Sequence, residues 1–351
     1  MTTQTDQNDR TAPTASTRRT GDQHIPRPLK AVVIGATGHI GTYLVPMLVR
    51  AGYDVTAISR GQAAPYADDW AWSRAERLVL DRDALTPADF AARVAALDAE
   101  VVIDLIAFTP EQVAAMADAL TPTRLTHYLL ASSIWATGRS LCSPVREDHP
   151  KDALCAYGRD KAAIEDLLAE RWLQDGFPAT VVRPGQISGP GWLIINPVGN
   201  ITTEVFERIA RGEEVLLPNF GMEELHHVHA YDVAQVFALA VAHRNQALGE
   251  VFNAVADESL TTYGYAEAMF RFFGREPAIG LRGWERWVEE TGTCQADAET
   301  TYLHLARSGH VSNDKARRLL GLEPRYTTLQ TVELAVASYV ERGVIEVPQP
   351  R

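Results

Sequence analysis

Lysine is scarce in this chain of 351 residues: only Lys30, Lys151, Lys161 and Lys315 occur, and arginine supplies nearly all of the positive charge. Acidic residues outnumber basic ones, for a formal net charge of −12. That balance speaks against a nucleic-acid partner, because a phosphate backbone calls for a basic face. The three cysteines, Cys142, Cys155 and Cys294, have no C-x-x-C spacing. An odd set of this kind argues against a disulfide framework or a cysteine zinc site and fits free thiols in a reducing compartment. No apolar run reaches the length that crosses a bilayer, so no membrane partner is expected. Residues 1–28 are rich in Thr, Gln, Asp and Arg and hold no apolar signal core, so they are read as a disordered tail, and the expected location is cytoplasmic.

From Lys30 onward, short apolar runs alternate with helical periodicity. Strands are predicted at 31–35, 55–59, 77–80, 101–108, 126–132 and 179–183, and helices at 40–51, 87–97, 111–120 and 157–174. Continuous β-branched runs between helices imply a parallel sheet covered on both faces, an α/β doubly wound Rossmann fold. After Pro184, Gly and Pro cluster and the alternation becomes irregular. The expected division is a dinucleotide-binding domain over 29–184, to which about 229–255 returns, and a smaller substrate lobe from 185–228 and 256–351.

The motif Gly35-Ala36-Thr37-Gly38-His39-Ile40-Gly41 falls where a strand meets a helix. Glycines there permit a tight turn and a close approach of the backbone to a pyrophosphate, which the helix N-terminus attracts. The second strand ends in Ser59-Arg60-Gly61, with no carboxylate for a ribose 2′-hydroxyl. A hydroxyl and a guanidinium suit a 2′-phosphate, so the cofactor is read as NAD(P), NADP favoured over NAD; stacking of Arg60 on adenine is the alternative. Asp81, followed by Arg82, stands where a carboxylate can accept from an adenine amino group or simply belong to a surface turn. Ala107 and Pro184, near the ends of their strands, complete the predicted cofactor contacts.

Tyr157 and Lys161 are four residues apart on one helix face. A phenol is a poor base at neutral pH, and a neighbouring ammonium brings it nearer the working range. Ser133 closes the strand before that helix, at the sheet edge where open α/β sheets bind ligands, so Ser133, Tyr157 and Lys161 form the predicted catalytic group. Gln186 is a substrate-binding candidate or an ordinary loop residue. His226 and His227 should point to opposite faces, no carboxylate or cysteine beside them completes a ligand set, and no metal is expected. Asp232 opens an apolar helical run and reads as its N-cap.

Taken in order, these motifs resemble the extended short-chain dehydrogenase/reductase family, in its NAD(P)-dependent epimerase/dehydratase branch. The likeness covers about residues 30–322 and includes Glu147-Asp148-x-Pro150, Arg183-Pro184 with Gly189-Pro190, His229-x-x-Asp232-Val233-Ala234 and Asp314-Lys315-Ala316. Ser59-Arg60-Gly61 and Asp81-Arg82-Asp83 look like a branch that includes chloroplast relatives linked to RNA. The resemblance implies a seven-stranded Rossmann domain, a substrate lobe, a homodimer and the roles given to Ser133, Tyr157 and Lys161. Two departures matter. Ile134 and Trp135 replace the Asp-Glu pair of the dehydratases, and Leu225 stands where sugar-nucleotide epimerases carry an arginine for the diphosphate. The expected enzyme is an epimerase or ketoreductase acting on a secondary alcohol or ketone of a sugar-like small molecule. The alternative is a non-catalytic dinucleotide- or RNA-binding protein on the same scaffold.

Overall fold

A computed structural model of the chain describes Met1 and residues 27–348, so most of the expected N-terminal tail lies outside the described residues. The sheet is built from β1 (Lys30–Ile34), β2 (Asp54–Ser59), β3 (Glu76–Val79), β4 (Val101–Asp104), β5 (His127–Ala131) and β6 (Ala179–Pro184). Between them lie α1 (His39–Arg50), α2 (Pro87–Ala95), α3 (Pro110–Leu120) and α4 (Ala156–Asp175). The second half adds β7 (Gln186–Ser188), α5 (Glu204–Arg211), β8 (Val215–Pro218), β9 (Glu224–Leu225), β10 (His227–His229), α6 (Ala230–Ala242), α7 (Arg244–Ala247) and β11 (Val251–Ala254). Then come β12 (Leu260–Thr261), α8 (Thr262–Phe272), β13 (Ile279–Arg282), α9 (Trp284–Thr291), α10 (Gln295–Leu305), α11 (Asp314–Leu320) and α12 (Thr328–Glu341).

Seven strands form one sheet in the order β11-β6-β5-β4-β1-β2-β3, all parallel. The chain winds outward to β3 and then returns across β1 to β4, so the direction reverses between β1 and β4, where such sheets open a ligand crevice. Ile34 is in register with both Ile58 and Asp104, which puts the loops after β1, β2 and β4 at one edge.

Strands buried on both faces read as apolar runs, and β1, β4 and β5 do in their interiors, with Lys30, Asp104 and His127 only at strand ends. Leu44, Val45 and Leu48 of α1 pack one face with Val233 and Phe237 of α6. Phe90, Val113, Met116, Ile164 and Leu168 from α2, α3 and α4 cover the other. Thr86 and Thr109 cap α2 and α3, each followed by proline at the first helical position.

Two expectations need correction. The strand predicted over 101–108 stops at Asp104, because its carboxylate accepts from the Ile106 N–H and turns the chain away. Asp232 is not the N-cap of α6. That place belongs to His229, whose Nδ1 accepts from the Tyr231 N–H, while Asp232 accepts from the backbone of Arg325 and Tyr326 and so holds the start of α12.

The remaining segments form three two-stranded ribbons, β7–β10, β9–β12 and β8–β13. They pack with α5, α8, α9 and α12 around Phe206, Leu217, Tyr265, Phe270 and Trp287. Among the described residues no helix is long and apolar enough to cross a membrane.

Candidate active site

The glycine turn is shaped by close approach. Gly35 has φ +82°, and a Cβ on Gly41 would lie 2.2 Å from the Ala36 carbonyl oxygen. Neither position tolerates a side chain without moving the backbone. Gly38 caps α1 with no side-chain acceptor, so the first N–H groups of that helix stay open to an anion. This cradle and open helix end fit a dinucleotide pyrophosphate. Thr37 borders the turn, while His39 and Ile40 are buried beneath it. The His39 ring stacks on Trp192 at 5.2 Å, neither ring nitrogen has a partner, and burial pulls its pKa down to about 3.

At the end of β2, Ser59 Oγ accepts from the Gly61 N–H, and Arg60 is exposed. Asp81 takes the Asp83 N–H on Oδ1 in a tight turn. Arg82 is turned inward: it donates to Asp104 at 3.1 and 2.5 Å and lies over Phe90. The structure thus leaves Arg60 at the surface and commits Arg82 to a buried pair.

Ser133, Tyr157 and Lys161 converge at the ends of β5 and α4. Tyr157 keeps 40% of its surface exposed, yet the surrounding protein raises its phenol above the usual value, while a hydrogen bond with Ser133 acts in the opposite direction. Lys161 is buried, and its Nζ donates to the carbonyls of Ala107 at 2.6 Å and Ala131 at 2.8 Å. Burial pulls this ammonium down to about 8, against the pull of Asp104 and Glu165. It lies 5.7 Å from the Tyr157 ring centre. Gly158 permits this fit, since a Cβ there would meet the Trp135 carbonyl oxygen at 2.3 Å.

Beneath the group is a buried network. Glu165 accepts from Ser132 Oγ at 2.5 Å and from Arg183 at 2.8 and 2.5 Å. It fixes the strand ends that carry Ser133 and Pro184. The four-residue step from Tyr157 through Lys161 to Glu165 is a signal that could have found it. On the lobe side, Gln186 commits its amide oxygen to the His226 N–H at 2.7 Å, so only its NH2 end is available to a ligand. Trp135 stands edge-on to Tyr157 at 5.9 Å and carries the Arg307 guanidinium on its face. Glu224, His226 and His310 converge, which sequence spacing did not reveal. Both ring nitrogens of His226 are engaged, however, with the Val311 N–H and the Gly309 backbone. That leaves the histidine no free lone pair for a metal.

Over residues 31–254 the sequence matches the NAD dependent epimerase/dehydratase family. The chain belongs to that family. Membership brings a nicotinamide dinucleotide cofactor. A chloroplast stem-loop binding protein of 41 kDa (b) from Arabidopsis thaliana is 30% identical over 71% of this chain and 65% of its own length. A 2′-dehydrokanamycin reductase from Streptomyces kanamyceticus is 28% identical over 45% of this chain and 43% of its own. The chain therefore spans less than two thirds of either relative. In fold it is similar to a UDP-glucose 4-epimerase from Thermotoga maritima, with TM-score 0.68 and 19% identity over 90% of this chain and 99% of that one.

Proposed function

We propose that this enzyme moves a hydride between the nicotinamide and a secondary alcohol or ketone carbon of a sugar-like substrate, as an epimerase or a ketoreductase. The observation that carries the reading is the convergence of the Ser133 and Tyr157 side chains, with Lys161 fixed alongside. The nicotinamide ring supplies or takes the hydride when bound. Tyr157 gives or takes the hydroxyl proton, and Ser133 hydrogen-bonds the same oxygen. Lys161, with two of its three donors on carbonyls, holds its charge beside the phenol and favours the phenolate. The Gly35–Gly41 turn holds the pyrophosphate, and Ser59 with Arg60 favours NADP. Leu225 pairs with Leu260 in the apolar core of the lobe, so no charge there meets a diphosphate. This supports a substrate without a nucleoside diphosphate, and a reductase of a named kanamycin derivative among the relatives agrees.

The stem-loop binding relative raises the RNA-binding alternative. A net charge of −12 and the complete catalytic group favour the enzyme. A homodimer remains part of this reading. Screening alcohols and ketones of free and glycosidic sugars for a change in reduced-nicotinamide absorbance, with wild type beside Tyr157→Phe, tests it. Turnover that the variant retains would overturn the assignment of Tyr157.

A further inference from the structure

Asp104, the last residue of β4, is a carboxylate with no exposed surface. Its Oδ1 accepts from the Ile106 N–H and from Arg82 Nη1, each at 3.1 Å. Its Oδ2 accepts from Arg82 Nη2 at 2.5 Å and from the Tyr128 hydroxyl at 3.3 Å. The Ile106 bond bends the chain into a turn over 105–107 that touches both halves of the site. On one side the Ile106 side chain walls the glycine cradle, where a Cβ on Gly35 would meet it at 2.7 Å. On the other, the Ala107 carbonyl takes the Lys161 ammonium at 2.6 Å.

A neutral acceptor, such as an amide oxygen, would hold that turn as well. A carboxylate is far more unfavourable to bury, and here it requires a second buried charge, Arg82, to neutralise it. The charge therefore has a use that the turn alone does not explain. Four ionisable groups face Lys161: Asp104, Glu165, Arg82 and Tyr157. Arg82 opposes the ammonium. Glu165 favours it but is shared among Ser132, Arg183 and Lys151, and Asp104 favours it most. We infer that Asp104 is a positioning residue that acts through Lys161: it fixes the turn that receives Nζ and keeps a negative charge close to the ammonium beside the phenol. Its use in turnover rests on the proposed function; its hold on Lys161 does not.

The test follows Lys161 directly. With only four lysines in the chain, protein grown on 13C-labelled lysine gives few Cε resonances, and loss of one in Lys161→Met identifies it. Its titration midpoint, followed by NMR from about pH 6 to about pH 10, is expected at about 8 in the wild type. Arg82→Gln combined with Asp104→Asn removes both charges of the pair and keeps an acceptor for the Ile106 N–H. In that protein the midpoint falls by about one pH unit. Arg82→Gln alone leaves the carboxylate in place and moves the midpoint up. An unchanged midpoint in the double variant overturns the inference. A wild-type midpoint below about 7 overturns it whether or not the variants fold, because Lys161 would then be mostly uncharged at neutral pH. With a substrate in hand, the alkaline fall of kcat moves to lower pH together with the resonance, and a fall that does not move overturns the inference as well. The resonance needs no turnover. A protein that shows the shift and reduces nothing would therefore remove the redox reading alone.

Discussion

The Nζ of Lys161 lies 2.6 Å from the carbonyl oxygen of Ala107, and that bond ties α4 to the loop that leaves β4. A second bond, to Ala131 at 2.8 Å, ties the same ammonium to the end of β5. The ammonium that we propose supports the phenol is thus also a brace across the ends of two neighbouring strands on one side of the crevice.

The first prediction separates proton transfer from bracing. Tyr157→Phe keeps the brace, so dinucleotide affinity measured by calorimetry stays unchanged while turnover falls at least about a hundredfold. Lys161→Met removes the brace and lowers both. Normal turnover in Tyr157→Phe, or unchanged dinucleotide affinity in Lys161→Met, would contradict the assignment.

The proposed preference for NADP turns on Arg60, since Arg82 is held by Asp104. Arg60→Ala weakens NADP by about 1–3 kcal/mol, the range of charge-assisted hydrogen bonds, and leaves NAD nearly unchanged. Equal losses for the two dinucleotides would instead mean that Arg60 stacks on adenine.

Leu225 governs the third prediction. It is fully buried in the lobe's apolar core, so the arginine that would meet a diphosphate there is missing and has no open space to return to. UDP and dTDP give no thermal stabilisation at concentrations where the dinucleotide does. A saturable shift with either nucleotide returns the enzyme to the sugar-nucleotide group.

Acid should unfold this protein early. His39, His127 and His227 are pulled down to about 3, and His226, His229 and His304 to about 4, chiefly by burial. Each is a base whose folded pKa lies below its unfolded 6.5, so between those values the unfolded chain takes a proton that the native state refuses. Stability then falls as pH drops below 6.5, by up to about 1.4 kcal/mol per histidine per pH unit. Asp232, raised to about 6 by burial, works in the opposite direction as a single group. Unfolding free energies from urea titrations at about pH 7.5 and about pH 5.5 should differ by several kcal/mol; equal free energies would mean that these rings take up protons in the native state.

Much of this was legible because the periodicities are strong. The β1 and α1 boundaries match the sequence to within a residue, and Ser133, Tyr157 and Lys161 meet as their spacing implies. What escaped depends on pairing between distant segments. Nothing local to Arg82 says that its guanidinium turns inward to Asp104 at the end of another strand. Nothing near Trp135 says that a residue from the far end of the chain will lie on its face. Asp232 has the composition of a cap, and only the approach of Arg325 and Tyr326 shows its other use.

Ala316, Leu320 and Leu322 belong to the same apolar cluster as α1 and α6, and so they finish the layer behind β1. All seven strands have been synthesised by Ala254, yet that layer stays open until some seventy residues later, about where α11 ends. During translation the nascent protein therefore carries a complete sheet whose α1–α6 face still lacks the part of its cover that Ala316, Leu320 and Leu322 supply. A message truncated near residue 254 would yield a sticky intermediate and no usable half-enzyme, and premature termination in this stretch is a hazard of aggregation before it is a loss of activity.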